Sequence, residues 1–538
     1  MLGGRVTGRR GLPAAAPVVL GLALCLAACG GGHLTSAARL HSSSRQQAGR
    51  DYKWLVRTAG KPPTIAQENR ARGTRGWRLA GPVAQVGGIA TGTVRGYVAE
   101  QALAPGQLQS IDVSAPGSSR VTIQIYRMGW YGGFGGHEVL AAPNLPVQPQ
   151  PGCRHLSATG LTACRWHPTL RFRIPPALPS GVYIARLSAG SGASDCLFVV
   201  RSKQPQPLLA QLPTATYEAY NAWGGDSLYP GGRRVQITGT TQGVAVSYDR
   251  PYDSLTGAGQ FFARDVAMIR FLERYGYPVS YTTSESVDQD PGQVNGHRAL
   301  IDFGHSEYWS ARQVRAFARA ARLGTSLLFF GSDTLGWRVR FQSGDARGGD
   351  PGHTMVANKR LVRGGAGQAL APGVFPDGGA GLTGSAYTGC ITPRLPGAGP
   401  PVYRYYAWTA ARPMRPRWLF AGSGISSTVP IPGIVGYELD RQIRGSSPGV
   451  TRVGGGVAPC QSGVAAESGR TALGPGGSGA DTTLRRLRSG ALVFDTGTLG
   501  WELGLAPVPS ASPDAPQAPD PRLVRMTRNL LGRVLRHR

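Results

Sequence analysis

Lysine is almost absent from these 538 residues, occurring only as Lys53, Lys61, Lys203 and Lys359. Acidic residues are also scarce, with 29 Asp+Glu against 58 Lys+Arg, for a formal net charge of +29. The positive charge is therefore nearly all arginine. Together with 79 Gly and 42 Pro, that composition reads as coding bias of a GC-rich genome rather than a selected basic surface. The arginines are dispersed, with no aromatic-interleaved basic cluster, so no nucleic-acid partner is expected. Weak attraction to an anionic envelope is the electrostatic expectation that remains. No cysteine pair has zinc spacing, no G-x-S-x-G elbow surrounds Ser306 or Ser310, and the glycines of 129–136 do not open a helix after a strand. These absences argue against a zinc finger, a serine hydrolase and a dinucleotide site. There is no internal repeat.

The first residues carry an address. Arg5, Arg9 and Arg10 precede an apolar run from Leu12 to Leu24, which is too short for a membrane span, and Leu26-Ala27-Ala28-Cys29 follows. This is the pattern of a lipoprotein-type signal peptide over 1–29, with Cys29 as the lipidated residue. The expected location is extracytoplasmic, on a bacterial cell membrane through the lipid anchor. Residues 30–80 are assigned to a tether or linker, polar and small through about residue 50. Besides Cys25 and Cys29, five of the seven cysteines remain, at 153, 164, 196, 390 and 460. Loop context favours Cys153 with Cys164 and Cys390 with Cys460, leaving Cys196 buried in its strand.

Short alternating strands fill 81–202: Thr93 to Ala99, Gln109 to Val113, Val121 to Tyr126, Leu170 to Ile174, Val182 to Leu187 and Cys196 to Val200. Their spacing predicts a β-sandwich, interrupted by a Gly-rich aromatic loop from Tyr126 to Gly133. From 203 to 538 strands and helices alternate, which predicts a parallel α/β sheet. Its strands are Leu208 to Leu212, Pro278 to Tyr281, Ala299 to Phe303, Ser326 to Phe330 and Gly490 to Phe494, with helices from Phe261 to Tyr275, from Ser310 and from Arg522 to Leu535. Val402 to Phe420 and Val435 to Leu439 are weaker strand candidates. Gly/Pro-rich stretches around 343–400 and 444–482 read as long insertions, partly disordered.

Parallel strands finish at one edge, so three segments distant in sequence should share a rim: the loop after Leu212, the loop Gly304-His305-Ser306-Glu307-Tyr308-Trp309-Ser310, and Asp333. His305 and Glu307, two apart in a loop, match no helical zinc motif. A helix N-terminal charge and a satisfied loop histidine account for them about as well. Tyrosine beside carboxylate suits a hard cation such as ferric iron, although most tyrosines serve packing. Asp333 could orient water or cap a turn. Arg312, Arg315, Arg319 and Arg322 fall on the helix face opposite the apolar stripe and are read as solvated.

Several stretches resemble the large (β) subunit of N,N-dimethylformamidase and its exported relatives. They are Tyr126-Arg127-Met128-Gly129-Trp130-Tyr131-Gly132-Gly133, Tyr220-Asn221-Ala222-Trp223-Gly224-Gly225, Ser247-Tyr248-Asp249-Arg250-Pro251-Tyr252, Gly304 to Ser310, Trp337-Arg338-Val339-Arg340, and Asp495-Thr496-Gly497-Thr498-Leu499-Gly500-Trp501. The resemblance implies a multidomain fold, α/β plus β: an N-terminal β-sandwich, then a glutamine-amidotransferase-like (flavodoxin-like) parallel α/β domain with long Gly-rich insertions. It implies a mononuclear iron (Fe3+) held by two tyrosines and a glutamate, with Glu307 as the carboxylate and His305 as the catalytic histidine. One tyrosine ligand falls at Tyr220 or Tyr229, and Tyr183 is placed as the other by approximate spacing. Tyr308 and Trp309 are left to packing. Asp333 stands where the family has asparagine, and a carboxylate cannot donate as an amide does. The implied function is metal-dependent hydrolysis of small linear amides of the formamide type, with a homo-oligomer or a small partner subunit as the assembly. The alternative is a non-enzymatic envelope binding protein that retains the scaffold.

Overall fold

A computed structural model of the chain describes residues 52–80, 90–229, 242–254, 256–342, 352–357, 359, 374–375, 377–396, 402–443, 448–461, 479–506, 508 and 512–536. The expected signal segment and Cys29 lie outside these residues. The linker reading does not extend to residue 80. Lys53–Trp54 pairs as an edge strand with Leu140 and Ala141, and Ile65–Glu68 is a helical turn closed by a Thr64/Gln67 capping box. Trp77 is buried and stacked on Phe262. A few large apolar side chains in a polar stretch tie this segment down.

Two sheets follow. Arg95–Val98, Leu108–Ser114 and Pro168–Arg173 form a three-stranded antiparallel sheet. Arg120–Met128, Gly136–Pro146, Gly181–Ala189 and Gly192–Val200 form the body of a six-stranded one. Ile111, Val113, Leu170 and Phe172 of the first meet Ile123, Ile125, Leu140, Ala185 and Phe198 of the second in one core. Side chains alternate across a strand, and much of the opposite face of the larger sheet is buried too. Tyr126, Met128, Val182, Ile184, Leu197 and Val199 belong to the core of the α/β region. The loop expected from Tyr126 begins only after Met128, because Tyr126, Arg127 and Met128 complete a strand paired with Gly136–Glu138.

The α/β region is built on a nine-stranded sheet. Its parallel part runs, in spatial order, Val279–Thr283, Leu208–Leu212, Ala299–His305, Ser326–Ser332 and Leu492–Asp495. These strands are buried almost along their whole length, and all but Val279–Thr283 are mainly apolar, as strands covered on both faces tend to be. Four antiparallel strands extend the sheet: Ala480–Arg486, Val450–Gly456, Tyr406–Ala410 and Ile431–Val435. Val450–Gly456, and the start of Ala480–Arg486, come from the stretch 444–482 read as a partly disordered insertion. The alternation of Val450–Gly456 is broken by Gly454, Gly455 and Gly456, which lie against Trp408 and neighbouring backbone where side chains would not fit. The first insertion likewise contributes strands, Thr354–Val356 and Ala386–Ile391.

The helix after the His305 loop forms as its sequence predicts. Ser310 caps Ala311–Arg322 in a capping box with Gln313, while Phe317, Ala320 and Ala321 are buried and the four arginines are exposed. The helix expected from Phe261 is shorter, a 3-10 turn at Phe261–Ala263 and then Val266–Arg274. Both disulfides form as paired above, and Cys196 is free and buried. The mixed α/β fold is therefore mostly strands in several sheets, with few helices.

Candidate active site and metal centre

The strand Ala299–His305 ends beside Ser326–Ser332, with His305 opposite Ser332. Gly304 takes a left-handed φ of 72° at this point. A Cβ there would overlap the Asp265 carboxylate, so only glycine lets the chain turn His305 over the sheet edge. Glu307 follows, its backbone N–H donating to Thr216 Oγ1 at 3.0 Å and its carbonyl accepting from Trp337 N at 2.7 Å. The side chain is thereby aimed across the rim.

Two tyrosines meet it. Tyr220 closes the short helix Thr214–Ala219 after the first α/β strand, and Tyr229 lies farther along the same loop. Tyr220 Oη is 3.0 Å from Glu307 Oε2, Tyr229 Oη is 2.8 Å from both Glu307 oxygens, and the two phenols are 2.8 Å apart with rings stacked at 4.3 Å. The sequence left a choice between Tyr220 and Tyr229, and the structure brings both to Glu307. Tyr183 is not with them. It sits on the opposite side of its strand from Val182 and Ile184, in the core between the two N-terminal sheets, where it stacks on Phe198 and donates to Pro179 O at 2.6 Å. Approximate spacing misplaced it, because the two-residue period of the strand turns it away.

Tyr308 does more than pack. Its hydroxyl donates to Tyr229 Oη at 2.9 Å and receives Lys359 Nζ at 2.7 Å. The ammonium also lies 3.5 Å from the Tyr229 ring centroid and 4.5 Å from that of Trp337. Trp309 packs against Phe317, as expected.

On the other side, His305 Nε2 is 3.4 Å from Glu307 Oε2, 4.0 Å from Asp333 Oδ2 and 2.8 Å from Glu438 Oε2. All four side chains are buried. Asp333 adopts a left-handed φ of 51°, and its N–H donates to Asp440 Oδ1 at 2.7 Å. That bond docks the strand Glu438–Arg441 on the rim and with it Glu438, which sequence reasoning passed over. Its signal was a single charged residue in the strand candidate Val435–Leu439, and that of Lys359 was its being one of four lysines in an arginine-rich chain.

Burial opposes charge on His305, but the carboxylates of Glu438, Asp333 and Glu307 more than offset it and raise its pKa to about 10. Burial and the Glu307 charge push the Tyr220 and Tyr229 phenols well above their usual range. Burial, reinforced by Asp333, also raises Glu307. A buried set so rich in oxygen and acidic groups suits a hard cation, which would relieve each of these shifts. Three convergent oxygens, two phenolic and one carboxylate, fit the iron that the resemblance implies.

The family description "N,N-dimethylformamidase beta subunit-like, C-terminal" matches residues 122–516. No curated protein matches the chain. Among solved structures, similarity is found to the sulfur carrier protein SoxY from Chlorobium limicola f thiosulfatophilum, at 12% identity and TM-score 0.13 over 23% of this chain and 92% of that one. It is also found to a carbohydrate acetylesterase from Xanthomonas citri, at 13% identity and TM-score 0.12 over 42% of this chain and 57% of that one. Scores this low carry no argument. The family match spans well over half of the sequence and includes every residue of the rim described above, from Tyr220 to Glu438. The chain belongs to the N,N-dimethylformamidase beta subunit-like family.

Proposed function

We propose that the protein hydrolyses the C–N bond of small linear amides of the formamide type at the rim of its parallel sheet. The observation that carries this reading is the position of His305 Nε2, 3.4 Å from a Glu307 carboxylate that two tyrosine hydroxyls also reach. Ferric iron held by Tyr220, Tyr229 and Glu307 would supply Lewis acidity toward the amide carbonyl. With a bound cation relieving its raised pKa, His305 would accept a proton from the water that attacks the carbonyl carbon and return it to the nitrogen as the C–N bond breaks, giving acid and amine. Glu438 stabilises the imidazolium between these transfers, and Asp333 orients the ring. Burial of the whole set limits the substrate to a small molecule.

The wider frame follows the same reading. The parallel order, in which the second strand lies outside the first and the third to fifth follow on the other side, supports a flavodoxin-like, glutamine-amidotransferase-like domain, and the shared core of the two N-terminal sheets supports a β-sandwich. Export with lipidation at Cys29 draws support from the N-terminal sequence pattern and from the two disulfides, which persist in oxidising compartments. A homo-oligomer or a small partner subunit belongs to the same proposal.

The test is iron content and formamide hydrolysis in purified protein and in Glu307→Ala. Wild type is expected to hold close to one iron per chain and release formate, and the variant to do neither. Iron-free wild-type protein that stays inactive when iron is supplied sinks the reading.

A further inference from the structure

Beside the tyrosine set lies a second group of donors with different chemistry. His305, Asp333 and Glu438 each offer one ligand atom, and the three atoms lie within 4.8 Å of one another. Their side chains are only 1%, 4% and 5% exposed. Although His305 Nε2 is 2.8 Å from Glu438 Oε2, the two atoms are not aligned as a hydrogen bond, and both are left without a hydrogen-bond partner. Two buried polar atoms thus face each other across a gap that no donor–hydrogen–acceptor line crosses. Charge attraction holds the pair while the imidazole is protonated, but with the imidazole neutral the arrangement is costly unless a third body satisfies both.

A tetrahedral zinc ion, with bonds of about 2.0–2.1 Å, sets its donor atoms roughly 3.3 Å apart. The distances from His305 Nε2, 2.8 Å to Glu438 and 4.0 Å to Asp333, bracket that value. One imidazole nitrogen and two carboxylates suit zinc, whereas the all-oxygen tyrosine set suits a harder ion. We propose that His305, Asp333 and Glu438 form a second cation site, which takes a divalent transition metal of the zinc type.

Asp333 is what makes this a charged site. Its φ of 51° is a conformation that aspartate and asparagine both tolerate. Asparagine there would keep the turn and remove the charge. Filling the site has a functional consequence that rests on the hydrolase reading above. The metal takes the Nε2 lone pair that His305 needs for proton transfer, so the occupied enzyme is switched off while the tyrosine set stays intact.

The experiment adds zinc alone to the purified full chain. Affinity is read by competition with a chromogenic chelator in wild type, Asp333→Asn, Glu438→Gln and His353→Gln, each checked by its thermal melt. Asp333→Asn and Glu438→Gln are expected to weaken zinc binding at least about tenfold, and His353→Gln to leave it unchanged. Anomalous scattering at the zinc edge from wild-type crystals gives the position without any variant. A peak between His305 and Glu438 supports the site, and a peak elsewhere or unchanged affinity in both variants overturns it. Formamide hydrolysis at filling zinc concentrations is the separate arm. Full activity with the site filled overturns the switch. Zinc bound as described in a protein that hydrolyses nothing upholds the site and fells the hydrolase reading alone.

Discussion

Tyr229 and Glu307 are 78 residues apart in the chain, yet the phenolic oxygen lies 2.8 Å from both carboxylate oxygens. One phenolic proton cannot serve both of them and the Tyr220 oxygen, also at 2.8 Å. A cation shared by these oxygens, as proposed above, would relieve that crowding.

Tyr220→Phe and Tyr229→Phe are each expected to lose most bound iron and the tyrosinate-to-iron colour, because one anionic oxygen is removed while the stacked rings remain. Tyr183→Phe should keep both and lose about 1 kcal/mol of stability with its single hydrogen bond. Metal analysis with a visible spectrum separates the three. Iron lost from Tyr183→Phe and retained in Tyr229→Phe would reverse the assignment.

Lys359→Met keeps a long apolar stem and removes the charge from the Tyr229 ring and the Tyr308 hydroxyl. A desolvated cation–π contact of this kind contributes about 2 kcal/mol. The variant is expected to shift the tyrosinate absorption and to hold iron roughly tenfold less tightly or weaker. An unmoved band with full iron content would show the ammonium to be a bystander.

Arg127 ties the six-stranded sheet to the helix Val266–Arg274 through two bonds to Glu273, at 2.7 and 2.8 Å, with both side chains fully buried. Glu273→Ala strands that guanidinium and should cost about 3–5 kcal/mol, while Arg127→Met combined with Glu273→Leu should cost much less. Denaturant melts of the single and double variants give the answer. Equal losses in both would mean that shape, not charge, holds the joint.

His353 donates to Asp249 at 2.7 Å and faces Glu100 at 3.8 Å. Burial opposes its charge, but the two carboxylates raise its pKa to about 10 from 6.5. The folded state therefore binds the proton more tightly than the unfolded one. The stabilisation is complete below about pH 6.5 and is lost as pH rises through 10. Metal-free wild type should lose stability over that window, and His353→Gln should flatten part of the slope, worth about 1–3 kcal/mol. His305, raised to the same range, keeps the rest. A slope unchanged in the variant would exclude His353 as its source.

The parallel strands were legible in the sequence because a strand covered on both faces must be largely apolar, as Ala299–Phe303 is apart from Asp302 and Ser326–Phe330 apart from Ser326. The capping box of Ser310 and Gln313 was equally local. What escaped was long-range. Glu438 reaches His305 only because Asp333 N–H docks its strand through Asp440, and no spacing encodes that. The strand Val450–Gly456 was hidden because its glycines answer to Trp408 and to neighbouring backbone rather than to an alternating pattern. Tyr183 shows the converse error. A motif distance suggested a ligand where strand parity, readable from Val182 and Ile184, pointed it into another core.

The six-stranded sheet described above leaves water only part of one face, around Thr122, Gln124, Arg186 and Ser188. One side closes on the smaller sheet, and the other lays Tyr126, Met128, Val182, Ile184, Leu197 and Val199 against the α/β core. The N-terminal part is therefore not a cargo module that recombination could shuffle onto other catalysts. A cut near residue 202 would bare a water-averse wall on each fragment, and both halves would be expected to clump. The two parts are expected to fold as one unit.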